Sequence, residues 1–143
     1  MPTLETAEQL IKDFEILRDS ERLDLLLEFS DALPELPQRY ADHPELLERV
    51  EECQSPIFLF VEIDDQGLTR LFFSAPAESP TTRGFASLLF SVIDGLPVNE
   101  ALEFDQDFPF KLSLSSAVSL LRLRGMLGIL SRIKRQLREK SQQ

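Results

Sequence analysis

An α+β fold, with helices packed on one face of a small antiparallel β-sheet, follows from three features of the sequence. Near the N-terminus, Leu10, Ile11, Phe14 and Leu17 recur at the three- and four-residue spacing of an amphipathic helix. Between residues 56 and 74 the pattern changes to two short runs rich in β-branched and aromatic residues, PIFLFVEI and LTRLFFS, joined by Asp64-Asp65-Gln66-Gly67. That is the pattern of a β-hairpin with a glycine-containing loop. From residue 79 onward helical spacing returns. A hairpin set between helical segments argues for helices laid against a small sheet.

The elements are expected in this order. A first helix runs over 5–18, with Thr3 or Thr6 as its cap. A second starts near Ser20, turns Leu23, Leu26, Leu27 and Leu33 inward, and stops at Pro34, because proline disfavours helical geometry in the residue before it. Residues 34–44 hold three prolines and read as an extended connector, after which Asp42 caps a helical turn over 45–49. Strands follow over 56–63 and 68–74, and proline at 56 suits the first residue of a strand, where no ladder donor is lost. Ser79 and Pro80 open a helix through Phe85, Leu88, Leu89, Val92 and Ile93 that Gly95 ends. Pro97 starts a short turn of helix through Leu102, and Phe104, Phe108 and Phe110 fall in an irregular acidic stretch. Ser119 caps a last helix from 120 to about 140, with Leu123, Met126, Leu127, Leu130, Ile133 and Leu137 on its apolar face. There are no internal repeats, and residues 1–143 read as one domain.

Hydrophobic residues make up 43% and charged residues 28%, the balance of a soluble globular domain that needs neither disulfides nor metals to fold. No stretch approaches the roughly 20 apolar residues of a membrane span. The apolar positions near the N-terminus are interrupted by acids, unlike a secretory signal, so a cytoplasmic location and no membrane association are expected. The net charge of −10 opposes binding to nucleic acid. That charge is uneven: 24 of the 25 acidic residues precede residue 111, whereas 8 of the 15 basic ones follow residue 110. The basic end reads either as a solvated helix whose cations suit its dipole or as a docking face for an acidic partner.

The chain has one cysteine, Cys53, and one histidine, His43. That excludes an internal disulfide and CxxC redox chemistry, and two such ligands cannot fill a zinc or iron–sulfur site. No metal and no cofactor are therefore expected in the chain itself. Cys53 lies in Arg-Val-Glu-Glu-Cys-Gln-Ser-Pro, just before the first predicted strand. Its position alone leaves open an inert structural cysteine and a functional thiol. A hydrolase built on Cys53 and His43 lacks any third group to orient the base.

The surrounding residues narrow the choice. Val50-Glu51-Glu52-Cys53-Gln54-Ser55-Pro56-Ile57-Phe58 resembles the active-cysteine motif of the SufE family, V-x-G-C-x-S-x-V-W. Arg83-Gly84-Phe85 is similar to the family's R-G-hydrophobic signature, and Ser119 through Met126 to its S-P-x-R-x-x-G-[ML]. The three occur in family order and spacing, and the resemblance covers about 10–140. It implies a fold shared with the scaffold IscU, and a role in sulfur mobilisation for iron–sulfur cluster biogenesis. By that resemblance Cys53 sits at the tip of an exposed loop and accepts persulfide sulfur from a PLP-dependent cysteine desulfurase of the SufS or CsdA type. It then passes the sulfur to a cluster-assembly scaffold or other downstream acceptor. The protein would be an accessory factor rather than an enzyme, with PLP belonging to the partner. Arg122 is expected near Cys53 as the cation stabilising its anion, with Arg83, Gln54 and Ser55 in support. Two positions depart from the family pattern. Glu52 replaces a glycine, which stiffens the loop and sets a carboxylate against the thiolate. Leu120 replaces the proline that usually opens the last helix. The rival reading is a non-catalytic interaction module with a structural cysteine.

Overall fold

The computed structural model describes residues 3–142. Helix α1, Leu4–Glu15, buries Ala7 and Phe14. Thr3 occupies its N-cap position, and the Thr6 hydroxyl accepts the Thr3 amide at 3.1 Å. Helix α2 spans Asp19–Ala32 and buries Leu26 and Ser30, with Leu33 just beyond its end. Leu23 and Leu27, expected inward, are exposed instead. Leucines at 23, 25, 26 and 27 surround the helix, so their spacing does not select a face. Gly84 selects it: a Cβ added there would lie 2.7 Å from both Leu26 Cδ1 and the Leu26 carbonyl oxygen, so only a glycine admits α2 this closely.

The 34–44 connector is not wholly extended. It contains a single turn of helix, α3, Gln38–Ala41, which buries Tyr40. Asp42 is not the cap of the next turn. Its carboxylate accepts Gln38 Nε2 at 2.6 Å, and His43 precedes a 3-10 turn over Pro44–Leu46. The predicted turn over 45–49 ends as a strand, β1, Glu48–Arg49.

β1 joins β2, Phe58–Ile63, and β3, Thr69–Ser74, in an antiparallel sheet of order β1-β2-β3. Pairing runs from Phe58↔Ser74 to Ile63↔Thr69, and Glu48 lies opposite Leu59. The two-residue period turns Leu59, Val61, Leu71 and Phe73 into the core. On the other face, the ring of Tyr40 packs 4.8 Å from that of Phe60 and 4.9 Å from that of Phe72. Gly67 closes the hairpin loop with φ of +76°, a conformation that favours glycine. Asp64 accepts the amides of Gln66 and Leu68 there.

Helix α4, Pro80–Ile93, is buried on nearly every side, between α2, the sheet and the last helix. Gly95 leaves it at φ of +94° and pairs with Thr69 on β3. Helix α5, Val98–Leu102, leads to a 3-10 turn at Phe108–Lys111. Phe104 and Phe108 are buried edge to face at 5.2 Å, whereas Phe110 is exposed. Helix α6, Leu120–Ser141, is capped by Ser119, whose hydroxyl accepts the Arg122 amide. It buries Leu123, Met126, Ile129, Leu130, Ile133 and Leu137, each worth about 1.5–3 kcal/mol relative to exposure. Because β1 is so short, β2 outruns it. The buried Gln136 side chain accepts the Val61 amide at 2.9 Å, and Lys140 donates to the Val61 carbonyl. Lys134, also buried, donates to the Phe104 carbonyl. No helix among the described residues is long and apolar enough to cross a membrane.

Candidate functional site

Strand β1 changes the setting of Cys53. Residues 50–57 are the connection of a β1–β2 hairpin, closed at its base where the Val50 amide donates to the Ile57 carbonyl at 2.9 Å. Val50 and Ile57 are fully buried and pin both ends. Within the loop, the Cys53 amide donates to the Val50 carbonyl, turning the chain back on itself. Cys53 is thus on a hairpin loop, but it is not exposed: it is only 8% accessible. The loop folds down onto α6, which receives it in a notch made by two glycines. A Cβ on Gly125 would lie 3.1 Å from Cys53 Sγ, and one on Gly128 would lie 2.7 Å from the Glu52 side chain. The neighbours Glu51, Gln54 and Pro56 stay outside while the thiol turns in.

Burial pushes the Cys53 thiol up to about 11, the Glu52 carboxylate pushes the same way, and the Arg132 guanidinium opposes them. Arg132 is the cation paired with Glu52: its Nε donates to Glu52 Oε1 at 2.8 Å, and its NH1 donates to Glu48 and to the Arg49 carbonyl. Partial burial works against the Glu52 charge, but the bond to Arg132 wins and holds the carboxyl below its ordinary value. Glu48, bonded by Arg132, Arg135 and Gln136, is likewise held low against its own desolvation.

A cleft of about 150 Å³ opens over the thiol, lined by Glu52, Cys53, Gln54, Ser55, Thr82, Phe85, Ser119, Leu121, Arg122 and Gly125. Arg122 therefore shares the cleft with Cys53, as do Gln54, Ser55 and Glu52. Arg122 is not the partner of Glu52, however; sequence reasoning missed Arg132 in that place. The signal for it was available in α6, where residues 122, 125, 128 and 132 recur at helical spacing as Arg, Gly, Gly and Arg. Gln54 and Ser55 do not hydrogen-bond the loop through their side chains; it is the Ser55 carbonyl that accepts the Ile57 amide. Arg83 lies away from the cleft, donating to the carbonyls of Ala75 and Ser30. His43 bonds Glu45 at the surface. Leu120 and Leu121, at the start of α6 beside the cleft, are 56% and 54% exposed. Among the described residues, no three His, Cys, Asp or Glu side chains are grouped as metal ligands would be.

Fold and site together define a class: a small α+β domain carrying a single thiol on a hairpin loop folded against its longest helix. The chain belongs to the SufE family, whose Fe-S metabolism associated domain matches residues 8–137. It is similar to a SufE-like protein of Mycobacterium tuberculosis, 48% identical over 131 residues, covering 92% of this chain and 90% of that protein. It is also similar to SufE-like protein 1, chloroplastic/mitochondrial, of Arabidopsis thaliana, 32% identical over 82 residues, 57% of this chain and 22% of the plant protein. Among solved structures it resembles the solution structure of a protein from Thermus thermophilus, with a TM-score of 0.83, 32% identity and 96% of each chain covered.

Proposed function

We propose that this protein is a sulfur acceptor in iron–sulfur cluster biogenesis, taking sulfur from a cysteine desulfurase of the SufS or CsdA type onto Cys53. The observation that carries this reading is that the lone thiol of a SufE-family chain borders a cleft shared with Arg122. The Cys53 thiolate attacks the terminal sulfur of the partner's persulfide. The S–S bond of that persulfide breaks, the partner's cysteine leaves as a thiolate, and Cys53 carries the new persulfide. The proton lost by Cys53 balances the one taken up by the departing thiolate, with no external oxidant or reductant. PLP chemistry belongs to the partner, and the sulfur then passes to a scaffold or other acceptor by the same exchange.

In the free protein the thiol is poorly suited to attack, since thiolate is the nucleophile and burial holds it protonated. Docking must therefore open the loop or supply the activation. Arg122, exposed at the cleft, is placed to meet the incoming persulfide or its carrier. The burial of Cys53 also favours a second reading, a structural cysteine in an interaction module. One experiment separates them. The protein is mixed with a desulfurase, PLP and cysteine, and its intact mass is measured. Addition of sulfur in whole atoms, lost in Cys53→Ser, supports acceptance. An unmodified chain, or a Cys53→Ser variant that stimulates the desulfurase as fully as the native protein, refutes it.

A further inference from the structure

We infer that the Glu52–Arg132 ion pair is a latch that holds the Cys53 loop shut against α6, which makes Arg132 a positioning residue for the thiol. The inference rests on the reading of Cys53 as the sulfur-accepting group and adds how access to it is controlled.

The loop is fixed unequally at its base and its tip. At the base, Val50 and Ile57 are fully buried and bonded to each other, and Glu48 is tied to Arg132, Arg135 and Gln136. From 51 to 56, only Cys53 is buried. Glu51 approaches Arg49 of its own hairpin. Among the described residues, Glu52–Arg132 is the one side-chain hydrogen bond from 51–56 to α6. The tip is therefore held by one small side chain, one ion pair and its fit over Gly125 and Gly128. A tip so lightly held can lift while the base stays folded, since local opening follows few buried contacts. Arg132 keeps its bond to Glu48 when Glu52 leaves, so opening releases one arm of the guanidinium and strands no buried charge.

The latch and a purely electrostatic role for the same two residues predict opposite results. The charges facing Cys53 are Glu52 from the loop and Arg132 from α6, with Arg122 lining the cleft. Around Arg132 stand Glu48 and Arg135. If charge alone mattered, Glu52→Gln would favour the thiolate and speed alkylation, and Arg132→Gln would disfavour it and slow alkylation. If the pair is a latch, both substitutions speed alkylation, because both free the tip. Gly128→Ala should do the same with no change of charge, because the added methyl meets Glu52 at 2.7 Å and lifts it.

The experiment measures iodoacetamide labelling of Cys53 in the full chain at one pH for the four proteins, with folding checked by circular dichroism. The expected result is labelling about three- to tenfold faster in all three variants, the size appropriate to losing a half-exposed charge-assisted hydrogen bond. The rate should not depend on urea below the unfolding transition, which marks local rather than global opening. Folded Arg132→Gln labelled at the native rate or more slowly overturns the latch. If that variant does not fold, Gly128→Ala decides: no acceleration overturns it. These outcomes are independent of sulfur transfer. A native chain that takes no sulfur refutes the acceptor reading whatever its labelling rate, and a failed latch leaves that reading standing.

Discussion

Removing the thiol should change how stability depends on alkaline pH, and by an amount the structure sets. Cys53 titrates near 9.0 when unperturbed, and burial, aided by Glu52, raises it to about 11 in the fold. Between those values the unfolded chain has released the proton and the native chain retains it. Stability therefore falls as pH rises through that window, and is fully present below it. The complete loss across the window is roughly 2–3 kcal/mol, at about 1.4 kcal/mol per pH unit. Burial also shifts Tyr40 upward and Lys134 and Lys140 downward, so the native curve alone is not diagnostic. The difference between native protein and Cys53→Ala cancels them. Urea unfolding of both at half-unit steps from pH 7 to 10 should give a constant gap to about pH 8.5, then a steady decline in the native protein's relative stability. A gap unchanged to pH 10 would mean that the thiol is not desolvated and needs no activation by docking. The same shift leaves about one molecule in ten thousand as thiolate at pH 7.

Other substitutions test separate contacts. Gly84→Ala gains up to about 1 kcal/mol of helix propensity but drives a methyl into the Leu26 carbonyl, so overpacking of about 1–3 kcal/mol should prevail and lower the melting temperature. Gln136→Leu leaves the buried Val61 amide without its acceptor and should cost about 1–3 kcal/mol in urea unfolding. Arg83→Ala, which removes two bonds to backbone carbonyls, should lower stability by about 1–2 kcal/mol without changing the rate of Cys53 alkylation in the folded protein. Arg122→Ala should leave both melting temperature and alkylation near native while slowing sulfur acquisition from a desulfurase, measured by mass against time.

The parts of the fold written in local pattern were readable, and those decided by distant contacts were not. The 56–74 hairpin and the apolar face of α6 each rest on several residues of consistent period, and the start of α4 rests on the adjacent cap signal Ser79-Pro80. β1 has two residues, too few to show any period. The orientation of α2 was ambiguous because the choice among its leucines belongs to Gly84, far along the chain. Cys53 followed the same rule. The family resemblance implied a thiol at the tip of an exposed loop, yet Cys53 is buried because α6 supplies glycines where the loop arrives. Arg132 is one of eight cations in the basic end of the chain; its spacing from Gly125 and Gly128 sets it on their face of α6, but the pairing with Glu52 needs the folded loop. The three family-like motifs also divide in space. The cysteine segment, the start of α6 and Phe85 of the second motif meet at the cleft, whereas Arg83 ties backbone carbonyls and Gly84 seats α2.

The bonds from Gln136 and Lys140 to Val61 bear on what covers the free edge of β2. A strand that extends past its neighbour presents unpaired amides and carbonyls, a template on which a second chain can add. Here the overhang of β2 is occupied by two helix side chains one turn apart, which stand in for the missing length of β1. The last turns of α6 thus act as a guard on the sheet. A chain shortened before Gln136 would uncover an apolar strand edge, and its first symptom would be loss of solubility.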